Sequence, residues 1–188
     1  QKKYTQLNLK KLKYLFPPLK HEKYLELQTT NDSVYSVTPW FMSECIVKVV
    51  RKYIKKHKNV NIEDLKMIEG NANVGGDTIV FSKRFKFIHS IELDKDSYNA
   101  LNNNIEVYNI EKKVKTHKGD CVTLIPEIVK KENIQFIYLD PPWSGPGYKK
   151  KKTIMLYLNN VPLYDIINSF GELNITYALK VPKNFDNL

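Results

Sequence analysis

Four short apolar runs in this chain each end at or just before an acid. KMIE ends on Glu69, FIHSIEL carries Glu92 near its end, the run from Val114 to His117 leads into Gly119-Asp120, and FIYL is followed directly by Asp140. Strand-length runs alternating with helix-length segments predict βα units, hence a mostly parallel, twisted sheet with helices on both faces. Ligands of such sheets bind beyond the carboxyl ends of the strands. Four carboxylates gathered on that rim therefore predict a ligand site there before any motif is considered. A further run, Ile175 to Val181, closed by Pro182, supplies a fifth strand.

The helices are marked less evenly. Thr38 followed by Pro39 predicts a start, with the hydroxyl as N-cap and the proline in the first turn. Apolar residues at 41, 42, 45, 46, 49, 50, 53 and 54 predict a double column on one face. The basic residues around Lys55 to His57 suit its C-terminus. Later helices are expected at Ile79-Val80-Phe81, from a cap at Asp96 or Ser97 to about Val107, from Val122 to Lys131 with an interruption at Pro126, and across 161–170. Residues 1–30 are basic, with Leu12, Leu15 and Phe16 at helical spacing before Pro17 and Pro18. This divides the chain into a basic N-terminal extension or lid, 1–33, and a main domain, 34–188.

A chain of 188 residues, 42% hydrophobic and 12% aromatic, can bury a core of its own. Its net charge of +10 and the cluster Lys149 to Lys152 point to a polyanionic partner. No apolar run approaches a membrane span, and no secretory signal is visible. Cys45 and Cys121 lack metal-ligand spacing and suggest an intracellular, reducing compartment, nuclear or cytoplasmic. His21, His57, His89 and His117 are scattered and are expected at the surface or in the core, so no metal is expected. The runs Asn102-Asn103-Asn104 and Lys149 to Lys152 have the look of compositional bias as much as of design.

The densest chemistry lies in FIYLDPPWSGPG, residues 136–147. Its prolines stiffen the turn and remove backbone donors, leaving carbonyls free. A carboxylate, the Pro141 carbonyl and an indole face are the parts needed to hold a flat ring by its exocyclic amine. Upstream, Gly70-Asn71-Ala72-Asn73-Val74-Gly75-Gly76-Asp77-Thr78 joins a strand to a helix through small residues, where backbone can approach a ligand and the helix start can meet a carboxylate. Glu92, about 20 residues after that turn, is positioned for ribose hydroxyls. Asp120 is suited to accept from an adenine amine, and Tyr35-Ser36-Val37-Thr38 could line the same pocket.

On these residues the chain resembles the class I S-adenosylmethionine-dependent methyltransferases and, more narrowly, the trimethylguanosine synthase family of RNA cap guanine-N2 methyltransferases. The likeness runs from about residue 34 to 185: YSVTP at 35–39, EGNANVGGDTI at 69–79, IELD at 91–94, GD at 119–120, PPWSGPGY at 141–148 and LKVPKNF at 179–185. It implies a Rossmann-like fold, S-adenosylmethionine as donor with S-adenosylhomocysteine as product, and capped RNA or a cap nucleotide as partner. Catalytic roles would fall on Asp140, Pro141, Pro142 and Trp143. Cofactor contacts would fall on Ser36, Thr38, Glu69, Gly70, Asn71, Ala72, Gly75, Gly76, Thr78, Glu92, Leu93, Asp120, Cys121 and Asp140. Trp143, Ser144, Tyr148, Lys149 and Lys150 would meet the base and the cap phosphates.

Three departures stand out. Asp140 occupies the place where that family has serine, and an Asp-Pro-Pro-aromatic motif also appears in enzymes that methylate amines of adenine or of guanine in ribosomal RNA. Asn73 stands where the family has glycine. The sequence stops after the fifth strand, where the fold adds an antiparallel pair, so a further segment or a partner is expected to cover that edge. Two other functions follow from these features: methylation of another nucleic-acid amine, or non-catalytic RNA binding on the same scaffold.

Overall fold

In the computed structural model, residues 4–143, 145–171 and 175–186 are described. Five parallel strands form the central sheet: β1 Lys66–Glu69, β2 Phe87–Glu92, β3 Val114–Lys118, β4 Phe136–Leu139 and, at the far edge, β7 Thr176–Leu179. Their order is β3-β2-β1-β4-β7. The chain winds one way from β1 and then crosses to β4, so the crevice between β1 and β4 is the topological switch point where such sheets bind ligands. A small hairpin, β5 Tyr157–Leu158 with β6 Val161–Pro162, precedes the last helix and was not expected.

The helices are α1 Leu9–Leu15, α2 His21–Tyr24, α3 Ser33–Ser36, α4 Trp40–Lys58, α5 Gly76–Ser82, α6 Lys95–Val107, α7 Cys121–Lys131 and α8 Leu163–Ser169. One sheet face packs against α4, α5 and α6 through Val47, Ile54, Val80, Phe81, Leu101 and Ile105. The other packs against α7 and α8 through Ile125, Ile128, Leu163 and Ile166. Both faces of β1 and β4 are therefore covered, which is why β4 (FIYL) and the centre of β1, Met67 and Ile68, are apolar without alternation.

Several local expectations fail for identifiable reasons. Pro39, not Thr38, is the N-cap of α4, and no side chain caps that helix. The Thr38 hydroxyl instead donates to the buried Asp77 at 3.2 Å. The inward face of α4 is Ser43, Val47, Val50 and Ile54. Of the expected double column only Val50 and Ile54 are buried; Phe41, Met42, Cys45, Val49 and Tyr53 are exposed. Asp94 caps α6 by accepting from the Ser97 N–H at 2.8 Å, in place of Asp96 or Ser97. Pro126 sits inside α7 without breaking it. At the sixth helical residue it forfeits the i→i−4 bond to the Val122 carbonyl, a local cost that the helix carries.

The asparagine run is structural. Asn104 is fully buried, accepts from the Gln28 N–H at 2.8 Å and donates to the carbonyls of Gln28 at 2.9 Å and Val74 at 2.8 Å. It thereby ties the N-terminal region to the turn after β1. Leu12, Leu15 and Phe16 reinforce the tie by packing with Val74 and Ile79.

Candidate active site

The turn after β1 is shaped by two backbone requirements. Gly70 donates to the Tyr138 carbonyl at 2.9 Å, locking the end of β1 to β4. A Cβ on Gly70 would come within 2.3 Å of the Leu139 side chain, so any larger residue would have to displace that buried leucine. Gly75 has φ +91° and Asn73 has φ +51°, both left-handed. Asparagine tolerates that region better than most residues, so the turn keeps its course where the resembling family has glycine.

Side-chain hydrogen bonds then stitch the turn to its surroundings. Glu92 accepts from the N–H groups of Asn73 and Asp94, each at 2.7 Å, and burial raises its pKa. Asn73 donates to the Ser36 hydroxyl at 2.8 Å, bringing the segment before α4 over the turn. The amide oxygens of Asn71 and Asn73 are buried, and neither has a hydrogen-bond partner. Two orphaned acceptors in one turn are costly unless a ligand donates to them.

Beneath the turn, Glu69 is 1% exposed. It accepts from the hydroxyls of Thr78 at 2.5 Å and Ser90 at 3.3 Å. Burial first, and the neighbouring Asp77 second, push it up to about 8. Asp77, raised by burial, accepts from Ser43, from Thr38 and from Tyr138 at 3.4 Å. Between the unfolded carboxyl range and about pH 8 the native state holds protons that the unfolded state has released, so stability declines as pH rises through that window. Glu69→Gln keeps the acceptor but has no proton to lose. It is expected to leave the melting temperature nearly unchanged at pH 5 and to raise it by several degrees at pH 9; a variant that melts below the wild type at pH 9 would contradict this.

Asp140 follows β4, and its carboxylate forms an ion pair with the Lys180 ammonium at 2.6 Å, the two side chains being 16% and 22% exposed. The same ammonium donates to the Thr38 hydroxyl at 2.6 Å. Burial lifts Asp140 to about 6, with Lys180 pulling the other way. Lys180 also fixes the indole: the Trp143 N–H donates to the Lys180 carbonyl at 3.3 Å, and the ammonium lies 5.5 Å from the ring centroid. Tyr148 meets Trp143 edge-on at 5.3 Å. Among the described residues no backbone N–H donates to the Pro141 carbonyl. One connected network thus runs from Asp77 through Thr38 and Lys180 to Asp140 and Trp143.

The structure brings together most of the residues singled out by sequence. Glu69 supports the turn from below rather than lining an open surface. Asp120 caps α7 through the Val122 N–H at 3.0 Å and accepts from the Asn159 amide at 2.6 Å, so both its oxygens are engaged. Cys121 is buried, and burial pushes its thiol up to about 12. Leu93 is 63% exposed beside the Glu92 loop. Ala72 and Gly76 are buried in the turn, Pro142 is exposed, and Lys149 and Lys150 are exposed on the 3-10 turn Pro146–Lys150 that carries Tyr148. Ser144 lies outside the described residues. Lys180 and Asp77 were missed. Lys180 stands at the end of the fifth strand, on the same rim as the acids, and that position was the available signal. Among the described residues no group of three His, Cys, Asp or Glu could hold a metal, and no helix is long and apolar enough to cross a membrane.

Comparison with known proteins bears on the family and the fold. A family model described as RNA cap guanine-N2 methyltransferase matches residues 66–187. The trimethylguanosine synthase of Schizosaccharomyces pombe is 28% identical over 157 residues, covering 82% of this chain and 62% of that protein. An uncharacterized protein of Acanthamoeba polyphaga mimivirus is 26% identical over 201 residues, 96% of this chain and 77% of that one. In fold, a Porphyromonas gingivalis protein described as a candidate methyltransferase is similar with a TM-score of 0.57 at 17% identity, over 84% of this chain and 35% of that chain. A Thermus thermophilus protein gives the same TM-score of 0.57 at 11% identity, over 81% of this chain and 77% of that chain. This chain therefore spans less than two thirds of the S. pombe synthase and of the P. gingivalis protein.

Proposed function

The chain belongs to the RNA cap guanine-N2 methyltransferase family, and from that premise we propose that it transfers a methyl group from S-adenosylmethionine to the exocyclic amine of a 7-methylguanosine cap. The observation that carries this reading is the node at the carboxyl ends of β4 and β7. There Asp140, Lys180 and Trp143 are held by mutual contacts beside a turn with two orphaned acceptors.

The residues present fit such a donor. The Asn71 and Asn73 amide oxygens, the Ser36 hydroxyl above them and the backbone through Gly75 and Gly76 would hold it. The donor, when bound, supplies an electrophilic methyl on a sulfonium. The rest falls to the chain. Trp143 stacks on the base, a contact worth roughly 1–3 kcal/mol. A base made cationic by its 7-methyl group gains further from the ring quadrupole. Asp140 and the Pro141 carbonyl accept from the two N–H groups of the amine and turn its lone pair toward the methyl. Fixed acceptors of this kind stabilise the charge that develops on nitrogen. The proton released after transfer goes to Asp140 or to water.

The lost stack gives a defined prediction. Trp143→Ala is expected to lower kcat/KM for the cap nucleotide by about 10- to 100-fold while leaving donor affinity, measured by calorimetry with S-adenosylhomocysteine, within about twofold. Unchanged kcat/KM would remove Trp143 from the substrate site.

One observation favours a second reading. Asp140 stands where the family has serine, and a carboxylate also suits the amine of adenine or of an uncapped guanine. Methyl transfer to 7-methylguanosine diphosphate, guanosine diphosphate and adenosine diphosphate, run in parallel, separates the two. The cap reading predicts turnover on the first alone. Turnover on adenosine or unmethylated guanosine nucleotides, with none on the first, would replace it by the second.

A further inference from the structure

The outward face of α4 carries more apolar surface than a solvated helix needs. Phe41 is 42% exposed, Met42 48%, Val49 69% and Tyr53 51%. Large exposed apolar groups gathered on one face mark an interaction surface. Phe41, Val49 and Tyr53 fall in one row at four- and eight-residue spacing. Lys48, Lys52 and Lys56, all exposed, fall in the row beside it, each rising about 6 Å from the last. Among the described residues none of these three lysines is paired with an acid. The helix holds a single carboxylate, Glu44, which already accepts from Arg84 at 3.1 Å.

We infer that this face of α4 is a track for the body of a single-stranded RNA, leading away from the site at the sheet edge. An even row of ammonium groups beside a row of aromatic and apolar side chains has the two parts such a strand needs: charge for successive phosphates and flat or greasy surface for the bases. The track begins at the proposed site. Thr38, two residues before α4, is bonded to Lys180, which holds Asp140. At the same end Tyr14 of α1 meets Phe41 edge-on at 5.5 Å, with Lys11 5.3 Å from the Tyr14 ring centroid, so the surface continues onto the N-terminal region. From Phe41 to Lys56 it is about 22 Å long, room for several nucleotides. The charge favours a polyanion over an apolar protein partner: the chain carries +10 in all, and the row is uniformly positive. The inference rests on the cap reading only in placing the RNA's 5′ end.

The test is fluorescence anisotropy of a labelled, uncapped 12-nucleotide RNA, with methyl transfer to free 7-methylguanosine diphosphate assayed in parallel. Two variants are used: Lys48→Gln with Lys52→Gln and Lys56→Gln, and Phe41→Ala with Tyr53→Ala. Each is expected to weaken RNA binding about tenfold. The lysine variant should also flatten the plot of log affinity against log salt by about 2. Turnover of the free cap nucleotide should stay within about twofold in both, since neither alters Asp140, Lys180 or Trp143. Stripe-dependent RNA binding by a protein that does not methylate the cap nucleotide would uphold the track and refute the acceptor. RNA binding equal in wild type and both variants, or none in the wild type, would overturn the track. So would self-association of the wild type that the aromatic variant abolishes while RNA binding is unchanged.

Discussion

Replacing Asp140 with alanine is expected to lower methyl transfer to the cap nucleotide by about 100- to 1000-fold. Two effects add. The amine loses a charged acceptor, and hydrogen bonds to ionised groups are worth roughly twice neutral ones. The Lys180 ammonium, now without its partner at 2.6 Å, is left to repel the positive charge that grows on the amine. Asp140→Asn retains the shape and one acceptor and should fall between the alanine variant and the wild type. A melting curve taken alongside separates lost chemistry from lost fold, since stripping one member of a part-buried ion pair also destabilises. An alanine variant that unfolds no earlier and turns over within threefold of wild type would remove Asp140 from the reaction.

The second large effect concerns Lys180, which acts through Asp140 and is therefore a positioning residue. Asp140 lies at about 6 with Lys180 in place. The groups facing it are Lys180, Asp77, the Thr38 hydroxyl and, further below, Glu69 and Tyr138. Only Lys180 among the charged ones favours the ionised form. Below the Asp140 pKa the carboxyl is protonated and loses an acceptor, so activity should have an acidic limb near pH 6. Lys180→Met leaves burial and Asp77 unopposed, so the limb should move to higher pH by a unit or more. Activity at pH 6 then falls by at least about tenfold relative to activity at pH 8.5. Lys180→Arg retains a positive charge near the carboxylate and should return the limb most of the way. A methionine variant whose limb stays put, with activity lowered equally at every pH, would make Lys180 a purely structural residue.

The strands and their acids were legible because each is a local pattern: β1 spans Lys66–Glu69 as expected, and β2, β3, β4 and β7 differ from expectation by one or two residues at their ends. Asn73 takes a left-handed backbone that its residue type tolerates without help from any partner. What sequence could not show is partnership. Thr38 has the chemistry of a cap, and only the positions of Asp77 on α5 and of Lys180 claim its hydroxyl instead. The apolar column of α4 satisfies helical periodicity, but which stripe turns inward depends on where α5 lies. Lys180 is 40 residues from Asp140, and only its place after the fifth strand, on the rim that the acids share, hints at their ion pair. Only across the rim does the charge at 140 meet its partner, the Lys180 ammonium.

The central claim is that donor and cap base meet at this node. It is tested most directly by a crystal structure with S-adenosylhomocysteine and 7-methylguanosine diphosphate bound together. The account predicts the base stacked on Trp143, its exocyclic nitrogen within hydrogen-bond distance of Asp140 and the Pro141 carbonyl, and the product's sulfur facing that nitrogen above Asn71 and Asn73. A base bound elsewhere, with Asp140 and Lys180 still closed on each other and the indole uncovered, would contradict it.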